Sequence, residues 1–377
     1  MEQKFGLISA DDHVYEHPEV WTARMSKKMW GDLVPHVETR ADGSQCWRVA
    51  GEAIDLPRAV GAGEIPESRA LQNPKRWDEV PVAAHNATER LKAMDADGVD
   101  YSVLYPTVSG MAGERFGRLD DIELEIACVQ AYNDWLIEEW TAVSPRLVPQ
   151  CIVPIWPMER TVAEIRRTVD MGHKGVIYPA SPMELKNVPH INEPVYDPLW
   201  SVCQELGVPL CFHSGASPKI QMRADSNFSP ATARAFSGIV RSVSSIAVLA
   251  NFLFSQVLHR FPNLKVVFAE SSIGWAAYEM EYADYQSAAD GLPQEGYPLK
   301  PSELFQRQCY FTCWYDRESV RVRRYPGNAN ILWSTNFPLQ TSTWPATRQH
   351  VESAFAGVPE QEQRQIKWEN AAKLYSL

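Results

Sequence analysis

The chain contains 377 residues, of which 45% are hydrophobic and 22% are charged, as in globular proteins with a sizeable core. The formal net charge of -11 disfavours nucleic acid and membranes as partners, although a local arginine could still receive an anionic substrate inside a pocket. No apolar stretch predicts a signal peptide or a membrane span, and the seven cysteines contain no CxxC pair, so we expect a reduced, cytoplasmic protein.

The chain begins with a short predicted strand followed by a long insertion. Residues 5–10 form the strand, and the insertion extends over about residues 14–85. Within it, residues 46–50 and 53–56 predict a small hairpin. Its tryptophans Trp30, Trp47 and Trp77 either anchor a long loop or belong to a lid over a pocket, and the sequence leaves both interpretations open.

From residue 86 onwards, predicted helices and strands alternate. Predicted helices cover residues 88–94, 122–143, 158–170, 196–206, 233–260, 274–290, 346–356 and 359–374. Predicted strands cover residues 101–106, 147–153, 174–178, 208–213, 264–269, 308–314 and 330–335. With the first strand this makes eight, so we predict an α/β protein that is a (β/α)8 TIM barrel, one domain over residues 1–377. A doubly wound sheet is less favoured, because no glycine-rich phosphate turn follows the first strand.

Four of these strands end on polar residues that metals bind. The first runs into Asp11 and His13, and the others end on His213, Glu270 and Asn336. The carboxyl ends of all barrel strands meet at one rim, so a single site there would collect these side chains.

The Asp-x-His spacing is compatible with metal binding. Side chains alternate along a strand, so Asp11 and His13 lie on one face and Asp12 on the other. His213 would add an imidazole nitrogen, and Glu270 a carboxylate oxygen. Mixed nitrogen and oxygen ligation favours Zn, Mn or Fe over Ca or Mg. We therefore expect a divalent metal cofactor of one or two ions.

Several segments resemble the amidohydrolase-related family. They are residues 8–16 (ISADDHVYE), 194–200 (PVYDPLW), 212–215 (FHSG), 261–265 (FPNLK), 270–275 (ESSIGW), 342–345 (STWP) and 369–375 (ENAAKLY). The resemblance implies a metal-dependent (β/α)8 barrel whose members hydrolyse C–N, C–O or C–C bonds or decarboxylate aromatic acids without oxidation. It also implies that Asp11, His13 and His213 are metal ligands.

The eighth strand departs from the family pattern. The family usually has a metal-binding Asp there, followed by Tyr or Phe, Pro and His, whereas this chain has Asn336 and ends the motif with Leu339. An amide oxygen still binds a metal but takes no proton from water, so hydrolysis with a general base at this position is in doubt. A different chemistry, a substitute base such as Glu270 or Asp12, or an engineered substitution would each explain the change.

The remaining candidates concern catalysis and substrate binding. The predicted catalytic residues are Glu270, Asn336 and His213, and Glu270 and Asn336 are also candidate metal ligands. Predicted substrate-binding residues are Trp47, Trp314, Tyr315 and Arg317, the last of which could meet a carboxylate or form a rim salt bridge.

Four functions are compatible with this site. The leading hypothesis is a metal-dependent hydrolase of a small carbonyl-containing, cyclic or aromatic substrate. The alternatives are a non-oxidative decarboxylase of an aromatic acid, an iron-dependent oxygenase on the same barrel, and an inactive binding barrel. A small molecule is the expected partner, and a homo-oligomer is possible.

Overall fold

The computed structural model of the protein describes residues 3–59, 74–216 and 228–377. Its strands are β1 (Ile8–His13), β2 (His36–Thr39), β3 (Gln45–Val49), β4 (Glu52–Asp55), β5 (Tyr101–Tyr105), β6 (Leu147–Ile152), β7 (Gly175–Ile177), β8 (Leu210–His213), β9 (Val266–Ala269), β10 (Cys309–Cys313) and β11 (Ile331–Trp333). Eight of them pair in parallel in the order β1-β5-β6-β7-β8-β9-β10-β11. The predicted (β/α)8 barrel is confirmed.

Helices lie between consecutive barrel strands and after the last one. They are α1 (Glu19–Thr22), α2 (Lys27–Trp30), α3 (Val82–His85), α4 (Ala87–Asp97), α5 (Ile122–Trp135), α6 (Met158–Met171), α7 (Asp197–Leu206), α8 (Pro230–Phe254), α9 (Val257–Arg260), α10 (Ala276–Ala289), α11 (Pro301–Gln308), α12 (Arg317–Arg321), α13 (Thr347–Ala354), α14 (Glu360–Arg364) and α15 (Asn370–Leu374). Two π-helical turns, Leu136–Thr141 and Gln365–Glu369, extend α5 and join α14 to α15. The single helices predicted over residues 122–143 and 359–374 therefore contain these irregular turns.

The first strand is displaced from its predicted position. The prediction ended it at residue 10, but β1 extends to His13. Parallel pairing with β5 continues to its end, where Asp12 is opposite Leu104 and His13 is opposite Tyr105. Because the neighbouring strand supplies these pairings, the polar residues of β1 are part of the buried sheet rather than of a loop.

The insertion packs against the barrel and shares its core. The predicted hairpin is confirmed as β3 and β4, and β2, which the sequence did not reveal, pairs with β3 on the other side. The buried rings of Trp21 and Trp47 meet edge to face with centroids 5.4 Å apart, and Trp21 also meets Phe116 at 5.6 Å. Residues 60–73 of the insertion lie outside the described residues.

The crossover between β8 and β9 contains a long apolar helix. By length and composition alone, residues Ala231–Phe254 of α8 could cross a membrane, and among the described residues no other helix meets that test. Its carboxyl-terminal part is buried in the core through Leu249, Phe252 and Leu253. Such helices also occur in the cores of barrels, so the finding is weak evidence for a membrane span.

Replacement of Trp21 by Ala tests whether the insertion contributes to the stability of the whole fold. Trp21 is fully buried, and its indole N–H donates to the Cys128 carbonyl at 3.0 Å. We expect a loss of about 3–5 kcal/mol in the free energy of unfolding, measured by urea denaturation. The control Met29→Ala removes a side chain that is 71% exposed and should change stability by less than about 0.5 kcal/mol. Equal midpoints for the two variants would show that the insertion contributes no stability.

Candidate metal centre and active site

The ends of β1 and β8 bring together an aspartate and two histidines. Asp11 Oδ1 lies 3.7 Å from His13 Nε2 and 3.4 Å from His213 Nε2. The three ligand atoms all lie within 4.8 Å of one another, and the three side chains are buried. The structure therefore brings these three predicted ligands together, and metal binding by them stays a prediction.

Backbone carbonyls orient both imidazoles. His13 Nδ1 lies 3.1 Å from the Pro106 carbonyl oxygen, and His213 Nδ1 lies 2.6 Å from that of Ser214. A carbonyl oxygen only accepts hydrogen bonds, so each Nδ1 donates its proton. In the neutral ring Nε2 then keeps its lone pair, and this lone pair faces Asp11. Histidines that ligate metals are commonly oriented in this way.

The Asp11 carboxylate is oriented by its second oxygen. Oδ2 accepts the Glu270 backbone N–H at 2.8 Å and the Thr312 hydroxyl at 3.2 Å. Oδ1 accepts no hydrogen bond and, like the two Nε2 atoms, is buried. Three buried polar atoms that converge without partners are costly unless something binds them.

These donors fit a single divalent cation. One carboxylate oxygen and two imidazole nitrogens are the ligand types preferred by zinc, manganese and iron. The residues that would hold such an ion are Asp11, His13 and His213. An ion there would satisfy all three atoms at once.

The same proximity changes the pKa values of the three groups. Burial disfavours a charge on His213, but the Asp11 carboxylate outweighs it and raises the pKa of His213 to about 9. Burial, together with the charge of His213, lowers the pKa of His13 to about 4. Burial would raise the pKa of Asp11, yet the two histidines lower it. Without a cation, Asp11 and His213 therefore form an ion pair, and His13 stays neutral.

Asn336 lies beside this group, immediately after β11. Its backbone N–H donates to the Asp11 carbonyl at 3.0 Å, and its Nδ2 donates to Thr341 Oγ1 at 2.9 Å and Glu270 Oε1 at 3.2 Å. Its Oδ1 is buried and accepts no hydrogen bond. Asn336 Oδ1 is thus a fourth buried atom without a hydrogen-bond partner, and amide oxygens are a type of ligand that metals bind. Its assignment as a metal ligand stays a prediction.

Glu270 lies at the edge of the group rather than within it. Its Oε2 accepts the Ser214 hydroxyl at 3.0 Å and lies 4.0 Å from His213 Nδ1, the nitrogen that faces away from Asp11. Glu270 also lines a neighbouring cavity, which Asp11, His13 and His213 do not line. This position fits an acid or base that faces a substrate better than the predicted metal ligand.

Both Glu270 and Asn336 have left-handed backbone conformations, with φ of 51° and 58°. Non-glycine residues adopt this region at an energetic cost, and such residues often cluster at functional sites. In each case the left-handed residue follows a barrel strand, β9 for Glu270 and β11 for Asn336.

Asp12 has a role that the sequence did not reveal. Its Oδ1 accepts the hydroxyls of Ser9 at 2.8 Å and Thr335 at 2.6 Å, together with the Phe337 N–H at 3.0 Å. Its Oδ2 accepts the Ser102 hydroxyl at 2.5 Å. As predicted, Asp12 faces away from Asp11 and His13. Burial raises its pKa to about 6, against the charge of Arg90.

A cavity of about 1390 Å³ lies beside the candidate metal centre: Ser214 and Glu270 line it, whereas Asp11, His13 and His213 do not. Aromatic residues from several elements line it, namely Tyr15, Trp47, Trp275, Trp314 and Tyr315. Of the predicted substrate-binding residues, Trp47, Trp314 and Tyr315 are among them. Arg317 is exposed at the start of α12 and does not line the cavity. Among the described residues, the arginines on its lining are Arg58 and Arg115, which belong to no motif in the sequence.

Fold and site together define a (β/α)8 barrel with a candidate metal centre at the carboxyl ends of its strands. A model of the amidohydrolase family matches residues 47–377. The chain therefore belongs to the amidohydrolase family. The match leaves out β1, so Asp11 and His13 are assigned by geometry. Among curated proteins, none matches the chain significantly.

Solved structures share this fold over the whole chain. An amidohydrolase from Mycobacterium avium subsp. paratuberculosis K-10 is 21% identical, with a TM-score of 0.76 over 100% of this chain and 99% of that one. The 5-carboxyvanillate decarboxylase of Sphingomonas paucimobilis is 19% identical, with a TM-score of 0.67 over 99% and 100%. A dihydroxybenzoic acid decarboxylase from Polaromonas sp. JS666, with bound manganese and 2-nitroresorcinol, is 17% identical, with a TM-score of 0.65 over 99% and 98%.

Replacement of His213 by Ala tests the metal centre directly. We expect the variant to lose most of its bound metal, measured by inductively coupled plasma mass spectrometry after growth with Mn or Zn. Removal of one ligand from a three-residue site weakens metal binding by about 100-fold or more, while rim residues contribute little to the barrel core. His190→Ala changes an exposed histidine and should keep the wild-type content. Full occupancy in a folded His213→Ala variant would disprove the assignment.

Proposed function

We propose that this protein is a metal-dependent, non-oxidative decarboxylase of an aromatic carboxylic acid. The observation that carries the proposal is the buried amide of Asn336 beside Asp11, His13 and His213. A hydrolase needs a base for its attacking water, and an amide at this position takes no proton. Decarboxylation needs no such base. The names of several structural neighbours, which are decarboxylases of aromatic acids, support the same class.

The proposed reaction replaces a carboxylate on a ring by hydrogen. The bond between the ring carbon and the carboxylate carbon breaks, its electron pair stays on the ring carbon, and that carbon receives a proton as carbon dioxide leaves. No oxidant or reductant is consumed. The protein must therefore hold the carboxylate, fix the ring and deliver one proton.

A divalent cation held by Asp11, His13 and His213 would orient the carboxylate and balance its charge. We propose one ion, with manganese as the first candidate because neighbouring decarboxylases contain it. The neutral Asn336 side chain adds no negative charge beside Asp11, so the substrate carboxylate would meet less repulsion there than beside an aspartate.

We assign delivery of the proton to Glu270, which would hold it as the carboxylic acid before the reaction and regain one from solvent afterwards. Its two oxygens accept hydrogen bonds from Ser214 and Asn336, which fix the carboxyl group at the wall of the cavity. The aromatic residues that line the same cavity, such as Trp47 and Trp314, provide flat apolar surfaces for a ring. In this arrangement the ring lies between these side chains, with its reacting carbon toward Glu270.

A hydrolase is the second candidate. The likeness to an amidohydrolase, with a TM-score of 0.76, is the observation that favours it. In that case Glu270 would serve as the base for water. Carbon dioxide release from 2,6-dihydroxybenzoate or 5-carboxyvanillate by the manganese-loaded protein supports the decarboxylase, whereas cleavage of esters or amides alone supports the hydrolase.

Replacement of Glu270 by Gln separates proton delivery from metal binding. The amide keeps the size of the side chain but delivers no proton, so we expect the rate of decarboxylation to fall by about 100- to 10,000-fold. The metal content should stay at the wild-type level, because Glu270 is outside the three-residue group. The control Glu281→Gln changes an exposed residue and should leave both quantities unchanged. A loss of metal in Glu270→Gln would instead identify Glu270 as a ligand.

Replacement of Asn336 by Asp tests the role of the amide. The added carboxylate should strengthen metal binding by about 10-fold or more and introduce a proton acceptor. We therefore expect slower decarboxylation and a gain of hydrolysis on a p-nitrophenyl ester. Asn263→Asp, which adds the same charge at an exposed position, should change neither rate. Unchanged rates and metal affinity in Asn336→Asp would place Asn336 outside the mechanism.

A further inference from the structure

We infer that Arg115 forms an anion subsite in the cavity, which selects aromatic acids bearing a second carboxylate. The inference rests on the proposed function in one respect, namely that the reacting carboxylate of the ring lies at the metal centre. Arg115 and Glu270 line the same cavity, and we place the ring between them, with its second substituent toward the arginine.

Arg115 is held in place by the segment that follows β5. Its Nη1 donates to the carbonyl oxygens of Thr107 at 3.0 Å and Val108 at 2.6 Å. Its backbone N–H donates to the Ser109 carbonyl at 3.2 Å. The side chain and the backbone of Arg115 therefore both bind the same short turn.

The opposite side of this turn is fixed by a buried carboxylate. Glu16, which is fully buried, accepts the backbone N–H groups of Thr107 at 3.3 Å, Val108 at 2.8 Å and Ser109 at 3.3 Å. The N–H groups of the turn thus face Glu16, and two of its carbonyl groups face Arg115. Since both faces are bound, the guanidinium is oriented before any ligand arrives.

The rest of the guanidinium is available to a ligand. An arginine has five N–H donors, and Nη1 alone is used in the contacts above. Within residues 3–59, 74–216 and 228–377, neither Nε nor Nη2 of Arg115 has a hydrogen-bond partner, and no carboxylate pairs with it. Its side chain is partly exposed and lines the cavity. The guanidinium is always positively charged, and its N–H groups can donate two parallel hydrogen bonds to one carboxylate.

The described lining of the cavity also contains acidic side chains. The carboxylates on its lining, Asp55, Glu270 and Asp316, would repel a second anionic group placed beside them. The positive charge of Arg115 would attract the second carboxylate of the substrate. The ring would then be oriented with this carboxylate toward Arg115.

Binding of non-reactive ligands tests the subsite without turnover. Isophthalate and its monoamide have the same shape, but only isophthalate has a second negative charge. By isothermal titration calorimetry, we expect the manganese-loaded protein to bind isophthalate about 10- to 100-fold more tightly than the monoamide. The reason is that Arg115 forms stronger hydrogen bonds with a charged carboxylate than with a neutral amide. Arg115→Gln should abolish this preference, while Arg118→Gln, an exposed arginine of the same segment, should keep it.

Three outcomes decide the inference. A wild-type preference that Arg115→Gln abolishes supports it. A ratio near one in the wild-type protein overturns it, and so does a preference that survives in Arg115→Gln. If Arg115→Gln fails to fold, as judged by circular dichroism, the wild-type ratio decides alone. The turnover assay described above is separate, because isophthalate and its monoamide do not react. An Arg115-dependent preference in a protein that releases no carbon dioxide from 2,6-dihydroxybenzoate or 5-carboxyvanillate retains the subsite and rejects the decarboxylase. Carbon dioxide release from those acids without the preference does the opposite.

Discussion

The site depends on one buried carboxylate, that of Asp12, which closes the barrel between its first and last strands. Among the described residues no ladder pairs β1 with β11, and the two strands are joined instead by Asn336 N–H to the Asp11 carbonyl and His13 N–H to the Phe337 carbonyl. The Asp12 carboxylate strengthens this junction, because it accepts hydrogen bonds from four donors on β1, β5 and the segment after β11. A buried carboxylate is costly unless it is hydrogen-bonded, and here that requirement fixes Asp11, His13 and Asn336 relative to one another.

The candidate metal centre and the cavity are built by different parts of the chain that share these contacts. The strands fix Asp11, His13 and His213, whereas the insertion and the segment after β5 supply Trp47 and Arg115. Glu16 connects the two regions, because it lies just beyond β1 and binds the turn that Arg115 also binds. The candidate metal centre and this wall of the cavity therefore both depend on the stretch of chain between Ser9 and Glu16.

Regular features of the fold and of the site could be predicted from the sequence. The alternation of apolar segments predicts the barrel, and the period of two along a strand predicts that Asp11 and His13 share a face opposite to Asp12. Features that depend on long-range contacts could not. The end of β1 depends on pairing with β5, the position of Glu270 depends on Ser214 and Asn336, and the cavity position of Arg115 depends on the turn held by Glu16. None of these partners is recognisable from local spacing, and Arg317, predicted from its position after a strand, is exposed outside the cavity.

The left-handed backbone at Asn336 restricts what evolution could place there. With φ of 58°, the position is strained for most side chains, and asparagine, aspartate and glycine are the residues that tolerate it best. Branched or bulky residues would move the segment whose backbone binds Asp11 and Asp12. Exchange between an amide and a carboxylate is therefore one of the few changes that preserve the backbone, and one nucleotide separates their codons. If Asn336 governs the reaction as proposed, one Asn-to-Asp substitution would suffice to change a decarboxylase into a hydrolase while the fold is kept.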